Sequence, residues 1–105
     1  MRWLVPASHE FKLSAEAEED IIAIAEQGVR MFGADQAKRY HDELFALFDL
    51  IAVNPRIARE RDEIDPPVRI HPFKAHLIVY RIEDDKTIFV IRIRHAHEDW
   101  TSDSI

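Results

Sequence analysis

Ala75-His76-Leu77-Ile78-Val79-Tyr80-Arg81-Ile82, Glu83-Asp84-Asp85-Lys86 and Thr87-Ile88-Phe89-Val90-Ile91-Arg92-Ile93-Arg94 are consecutive: two runs rich in β-branched and aromatic residues around four charged ones. Runs of this composition form strands, and the charged interruption is turn chemistry, so 75–82 and 87–94 read as a β-hairpin. Val68-Arg69-Ile70 is a shorter strand ahead of it. Centring the turn on Asp84-Asp85 sets Tyr80 opposite Phe89 and Ile78 opposite Ile91. One face then carries Ile78, Tyr80, Ile82, Phe89, Ile91 and Ile93, with Tyr80 reading as core. The other carries Leu77, Val79, Ile88 and Val90 beside Arg81, Arg92 and Arg94. That second face is apolar in the middle and cationic along one side, as a partner-binding surface requires.

Upstream the period changes from two to that of a helix. Glu10-Phe11-Lys12-Leu13 is extended and leads into Ser14, a good N-cap, after which Glu16, Glu18, Glu19 and Asp20 complement the helix dipole. Ala17, Ile21, Ile24 and Ala25 recur at helical spacing as far as Met31-Phe32, with Gly28 as a weak point and Gly33 as the stop. A second helix runs from about Ala34 to Val53 on a stripe of Ala37, Tyr40, Leu44, Leu47, Phe48 and Ile51, and Asn54-Pro55 ends it. Residues 54–67 read as a charged, proline-punctuated loop. The order is a strand, a two-helix hairpin and an antiparallel sheet on which the hairpin packs. The fold class is α+β, and the whole of 1–105 reads as one domain.

Composition narrows the chemistry. Fourteen Lys and Arg against twenty Asp and Glu leave a net charge of −6, opposite to that of a chain whose main work is gripping nucleic acid. Residues 1–55 hold five basic and ten acidic side chains, whereas 56–105 hold nine and ten. An acidic helical half joined to a locally basic end suits protein partners. The absence of cysteine excludes thiol nucleophiles, disulfides and cysteine-held zinc. Two glycines, Gly28 and Gly33, leave no glycine-rich phosphate loop. With no apolar run of the ~18 residues that span a bilayer, and Met1-Arg2-Trp3-Leu4-Val5-Pro6 too short for a signal-peptide core, a cytoplasmic protein without membrane contact is expected.

His95 and His97, followed by Glu98 and Asp99, alternate along a strand continuation but read as surface groups near a chain end, so neither metal nor cofactor is expected. Metal-free RNA cleavage needs a base for the 2′-hydroxyl, a cation for the phosphorane and an acid for the leaving oxygen. If the chain were a nuclease, Arg69, His76, Arg81 and His95 would fill those roles, although parity sets Arg81 on the face opposite His76 and His95.

Phe11-Lys12-Leu13-Ser14 before an acidic helix, Asn54-Pro55-Arg56, Arg59-Glu60-Arg61-Asp62-Glu63-Ile64, Val68-Arg69-Ile70, His76-Leu77-Ile78-Val79-Tyr80-Arg81 and Ile91-Arg92-Ile93-Arg94-His95 together resemble the RelE/ParE toxin superfamily, and its ParE branch most. The resemblance spans residues 10–99. Residues 1–9 lie outside it, as a strand extension or a flexible lead. It implies a toxin of a type II toxin–antitoxin operon of the plasmid-stabilisation type, with a helical hairpin packed on an antiparallel sheet. ParE toxins arrest growth by acting on DNA gyrase. A cognate antitoxin wraps the toxin with a segment that folds on binding, and it alone contacts the operon DNA. The alternatives are a RelE-type ribosome-dependent mRNA endoribonuclease or an inactive antitoxin-binding remnant. On this resemblance no catalytic residue is expected. Leu77, Val79, Arg81, Ile88, Val90, Arg92 and Arg94 are the expected antitoxin contacts, and Arg94, His95, Glu98, Asp99 and Trp100 the expected target contacts.

Overall fold

The computed structural model describes residues 11–96 of the chain. Strand β1 (Phe11–Leu13) leads into helices α1 (Ala15–Phe32) and α2 (Ala34–Val53). A 3₁₀ turn over Pro55–Ile57 follows, and then strands β2 (Glu60–Arg61), β3 (Val68–Phe73), β4 (His76–Ile82) and β5 (Ile88–His95). The five strands form one sheet in the order β1-β5-β4-β3-β2. β1 runs parallel to β5 and the remaining pairs are antiparallel, so the sheet is mixed. Among the described residues no helix is long and apolar enough to cross a membrane.

Ser14 does two jobs where β1 becomes α1. Its Oγ accepts the Ala17 N–H at 2.9 Å, capping the helix, and donates to the Ile91 carbonyl at 2.6 Å. Its own N–H reaches the Val90 carbonyl, which extends the β1–β5 pairing by one residue. Six residues on, Asp20 takes the Ile93 N–H at 2.9 Å and both Nε and Nη2 of Arg92 at 2.9 and 3.2 Å. The helix is thereby held against the outer edge of β5 by hydrogen bonds spanning more than seventy residues of sequence. The acid that reads locally as a dipole partner is a tertiary clamp.

α1 and α2 turn back on each other through one residue. Gly33 donates its N–H to the Val29 carbonyl and accepts from Ala37 N–H, so it closes one helix and opens the next. Its backbone sits at φ 90°, ψ 162°, a region that essentially only glycine enters. Gly28 has a different purpose: a Cβ there would lie 3.1 Å from the Ala37 Cβ, so its bareness lets the helices approach. Their inner stripes, including Ala17, Ile21, Leu44, Phe48 and Ile51, cover Ile78, Tyr80, Ile88, Val90 and Ile93. Phe11 of β1 packs on Phe45 and Phe48 at centroid distances of 6.2 and 5.3 Å.

The sheet departs from the sequence reading in three respects. First, the β4–β5 turn has three residues: Glu83 N–H bonds the Thr87 carbonyl, and Lys86 closes the loop at φ 74°. Tyr80 therefore pairs with Val90, not Phe89. A β-bulge then leaves Ile91 extra, so Val79 meets Arg92 and Ile78 meets Ile93. Because side chains alternate, this one-residue shift moves Ile88 and Val90 to the helix side, fully buried, and Phe89 and Ile91 to the other. Beyond the bulge the expected parity returns, with His76 opposite His95. Second, β3 continues through Pro72, tolerated because β2 pairs only with Val68 and Arg69 and leaves the rest of β3 as an edge. Third, the 54–67 segment contributes β2 and folds Ile64 over Val68 and Val79, so Val79 is fully buried and the second face is partly covered.

Gly33→Ala would force an L side chain into the glycine-only region, although nothing lies within 4 Å of the new Cβ. Urea unfolding should show a loss of about 1–3 kcal/mol. An unchanged midpoint would mean that the helix connection relaxes at no cost.

Candidate partner-binding site

Beyond the Gly28–Ala37 contact the helical hairpin leaves a groove between its distal half and the β3–β4 turn. The groove has a volume of about 420 Å³, and its apolar lining includes Ile24, Met31, Phe32 and Leu44. Met31 and Phe32 are 61% and 59% exposed, which is unusual for large apolar side chains set next to each other. Tyr40, Lys74, His76 and His95 form its polar side. The Tyr40 ring stands edge-on to Phe73 at 5.0 Å, and its Oη lies 2.6 Å from His76 Nδ1. Burial pushes the Tyr40 hydroxyl above its ordinary pKa, a backbone hydrogen bond at Ala75 opposes this, and Glu43 adds to it. Tyr40 therefore keeps its proton at neutral pH. Lys74, held at φ 52° in the β3–β4 turn, bonds Glu43 at 2.6 Å and lies 5.5 Å from the Tyr40 ring centroid. The His76 and His95 rings meet edge to face at 5.4 Å.

His41 lines the same groove from within the core, stacked on Phe45 at 4.6 Å. Burial lowers its pKa. Asp42, 3.8 Å away, pulls the other way, and Lys38 adds to the lowering.

The expected nuclease constellation is not assembled. His76 and His95 sit together at the groove end of β4 and β5, whereas Arg69 and Arg81 belong to the opposite end of the strands. Five residues separate His76 from Arg81 along β4, roughly 16 Å at ~3.3 Å per residue. Arg69 donates from Nη1 to the Ala58 carbonyl at 2.6 Å, and Tyr80, its cross-strand partner, donates from Oη to the Pro55 carbonyl at 2.7 Å. Both side chains anchor the segment after α2. Burial raises the Tyr80 pKa, and Tyr80 is a core residue as its position in the sequence suggests.

Of the residues expected on the partner face, Leu77, Arg81, Arg92 and Arg94 lie there, whereas Ile88 and Val90 face the helices and Val79 lies beneath Ile64. Arg81 is exposed, stacked 5.0 Å from the Phe89 ring centroid and bonded to Glu83 at 3.1 Å. Arg92 is engaged by Asp20. Of the expected target contacts, Arg94 and His95 close β5, while Glu98, Asp99 and Trp100 lie outside the described residues, as do His97 and residues 1–9. Sequence reasoning missed Asp20 as a clamp and the Tyr40–Lys74 side of the groove. Neither has a local signature, since each acts across tens of residues. No group of three or more metal-ligating side chains comes together among the described residues.

Residues 11–100 match the family model described as ParE toxin of type II toxin-antitoxin system, parDE. Two curated proteins named Toxin ParE1, from Mycobacterium tuberculosis strains CDC 1551 / Oshkosh and ATCC 25618 / H37Rv, are each similar to this chain. Both are 36% identical over 92 residues, covering 88% of this chain and 94% of the relative. A solved chain of the chromosomal ParDE TA system from P. aeruginosa superposes with a TM-score of 0.70 at 20% identity, over 86% of this chain and 98% of that one. At that identity the likeness is one of fold.

Asp20→Ala removes a charge-assisted acceptor from the Ile93 N–H and from Arg92, and should cost about 1.5–3 kcal/mol in urea unfolding. Loss of less than about 0.5 kcal/mol, the usual range of a neutral surface change, would show that α1 is held by packing alone. A second outcome concerns pH. With its folded pKa below the ordinary ~6.5, His41 binds a proton more readily in the unfolded chain, so stability falls as pH drops below ~6.5 toward the folded value. His41→Phe should flatten that part of the stability–pH curve, and an unaltered slope would assign it to other groups.

Proposed function

This chain belongs to the ParE toxin family of type II toxin–antitoxin systems, and from that premise we propose that it inhibits DNA gyrase and is neutralised by a cognate antitoxin that binds it directly. The observation that carries the antitoxin half is the groove: two adjacent large apolar side chains, Met31 and Phe32, stand exposed beside it at the tip of the helical hairpin. A segment that folds on binding gains most where it can bury such side chains, because burial must offset its ordering entropy. Met31 and Phe32 supply that area, and Lys74 with the Tyr40 hydroxyl supplies polar register. Leu77, Arg81, Arg92 and Arg94 on the second sheet face extend the contact to a wrapping partner. Toxin and antitoxin work in the cytoplasm, and the chain meets operon DNA only through the antitoxin.

For the target, the reading rests on family membership and on charge. A net charge of −6 and an acidic helical layer suit a protein target better than ribosomal RNA. The groups that would recognise gyrase are Arg94 and His95 at the end of β5, continued in sequence by Glu98, Asp99 and Trp100. The division of His76 and His95 from Arg69 and Arg81 between the two ends of β4 also favours this reading over RNA cleavage by those four residues.

A supercoiling assay with purified gyrase, run beside a translating-ribosome mRNA cleavage assay, separates the readings. Inhibited supercoiling with intact mRNA is expected, and cut mRNA with untouched gyrase would overturn the proposal. For the antitoxin, Phe32→Ala should weaken binding about 10- to 100-fold, since a buried Phe contributes about 1.5–3 kcal/mol. Ile22→Ala, on the outer helical face, should leave binding unchanged. Equal effects of the two substitutions would place the antitoxin elsewhere.

A further inference from the structure

With two methionines and no cysteine, Met1 and Met31 are the only sulfur-bearing residues of the chain. Met1 lies outside the described residues, and Met31 stands 61% exposed on the wall of the apolar groove, beside Phe32. We propose that Met31 is an oxidation site that controls antitoxin binding. Hydrogen peroxide converts its thioether to the sulfoxide, and the oxidised chain binds the antitoxin weakly; the second half of this rests on the groove being the antitoxin's seat.

Peroxide is the only co-reactant needed. A lone pair of the Met31 Sδ attacks one peroxide oxygen as the O–O bond breaks, and the departing hydroxide takes the proton from the transferred oxygen. The products are the sulfoxide and water: the sulfur gives up two electrons and the peroxide gains them. With no thiol in the chain, no cysteine competes for the oxidant. The exposure of Met31 gives the oxidant direct access.

The side chain beside the sulfur suits the oxidised form. Gln27, four residues earlier on α1, donates from Nε2 to the Met31 Sδ at 3.5 Å, and both residues line the groove. A thioether is a weak acceptor, so this amide has little to bond in the reduced chain. A sulfoxide oxygen is a strong acceptor, and the same amide can hold it at the groove wall. Oxidation thus turns a flexible apolar gap-filler into a polar side chain. A partner seated on Met31 and Phe32 must then strip water from the S=O dipole, and burial at that position opposes binding instead of favouring it.

The direction of control follows from access. A partner in the groove covers Met31 and shields it, whereas a chain free of antitoxin is oxidised and then resists recapture. Met31 is the one methionine among the described residues and stands outside the buried core, so the modification alters the groove and leaves the packing intact. Reduction by a methionine sulfoxide reductase reverses it.

The test treats the full chain with hydrogen peroxide, maps oxygen uptake by peptide mass spectrometry, and titrates the product calorimetrically with its cognate antitoxin. Met31 should take up one oxygen, far more slowly in the complex than in the free chain. The oxidised chain should bind about tenfold more weakly or worse, with an unchanged urea midpoint, and the reductase should restore binding. Met31→Leu, similar in volume but without sulfur, should bind like the parent both before and after peroxide. Phe32→Ala separates this proposal from the groove reading beneath it. Normal binding by Phe32→Ala would remove the antitoxin from the groove and overturn both. Weak binding by Phe32→Ala with normal binding by the oxidised chain would leave the groove reading standing and overturn the redox proposal alone. Oxidation confined to Met1, or an equal loss of binding in peroxide-treated Met31→Leu, would overturn it as well.

Discussion

Ser14 and Asp20 fasten the first turns of α1 to the outer edge of β5, and the arrangement of the molecule depends on that bond set. β1 covers only the Ile88–Val90 part of β5. Past it, the backbone of β5 has no strand neighbour on that side among the described residues. The Ser14 hydroxyl and the Asp20 carboxylate take the Ile91 carbonyl and the Ile93 N–H in its place. Buried or half-buried backbone groups need partners, and here two side chains supply what a strand would otherwise supply. Because α1 is fixed at this edge, the hairpin lies across one face of the sheet, and its distal half overhangs the β3–β4 turn.

From that overhang follow two clefts of opposite character at the two ends of β4. Around His76 the helices diverge from the sheet and leave an apolar groove with a polar wall. Around Arg81 the strand meets the segment after α2, which Arg69 and Tyr80 hold by its carbonyls, and the cleft is lined by cations and carboxylates. The first cleft is lined mainly by apolar side chains and the second by charged ones. Both left-handed non-glycine residues, Lys74 and Lys86, sit in the turns bordering these clefts.

Much of the fold is legible from local pattern. The Ser14 cap, the helical stripes, the Gly33 break, the Asn54-Pro55 stop and the strand runs each depend on residues within a few positions of one another. The second sheet face was legible only in part. Arg81, Arg92, Arg94 and Leu77 lie where alternation puts them, but Ile88 and Val90 do not. The turn has three residues instead of two, and Ile91 is a bulge. Each is a one-residue event, and in a strand one residue exchanges the faces. Neither leaves a pattern in composition: Lys86 occupies a glycine position, and Ile91 looks like its neighbours.

By itself, the sequence determined the order of the two helices and of strands β1, β3, β4 and β5, their extents to within a few residues, the α+β class and the family, because these follow from short-range periodicity and from motifs preserved in order. The tertiary structure alone decided the sheet register, the covering of Val79 by Ile64, and the parting of His76 and His95 from Arg69 and Arg81. It also turned Asp20 from a helix-dipole acid into the clamp on β5. Those outcomes are set by hydrogen bonds and contacts between residues tens of positions apart, whose energies no local window contains.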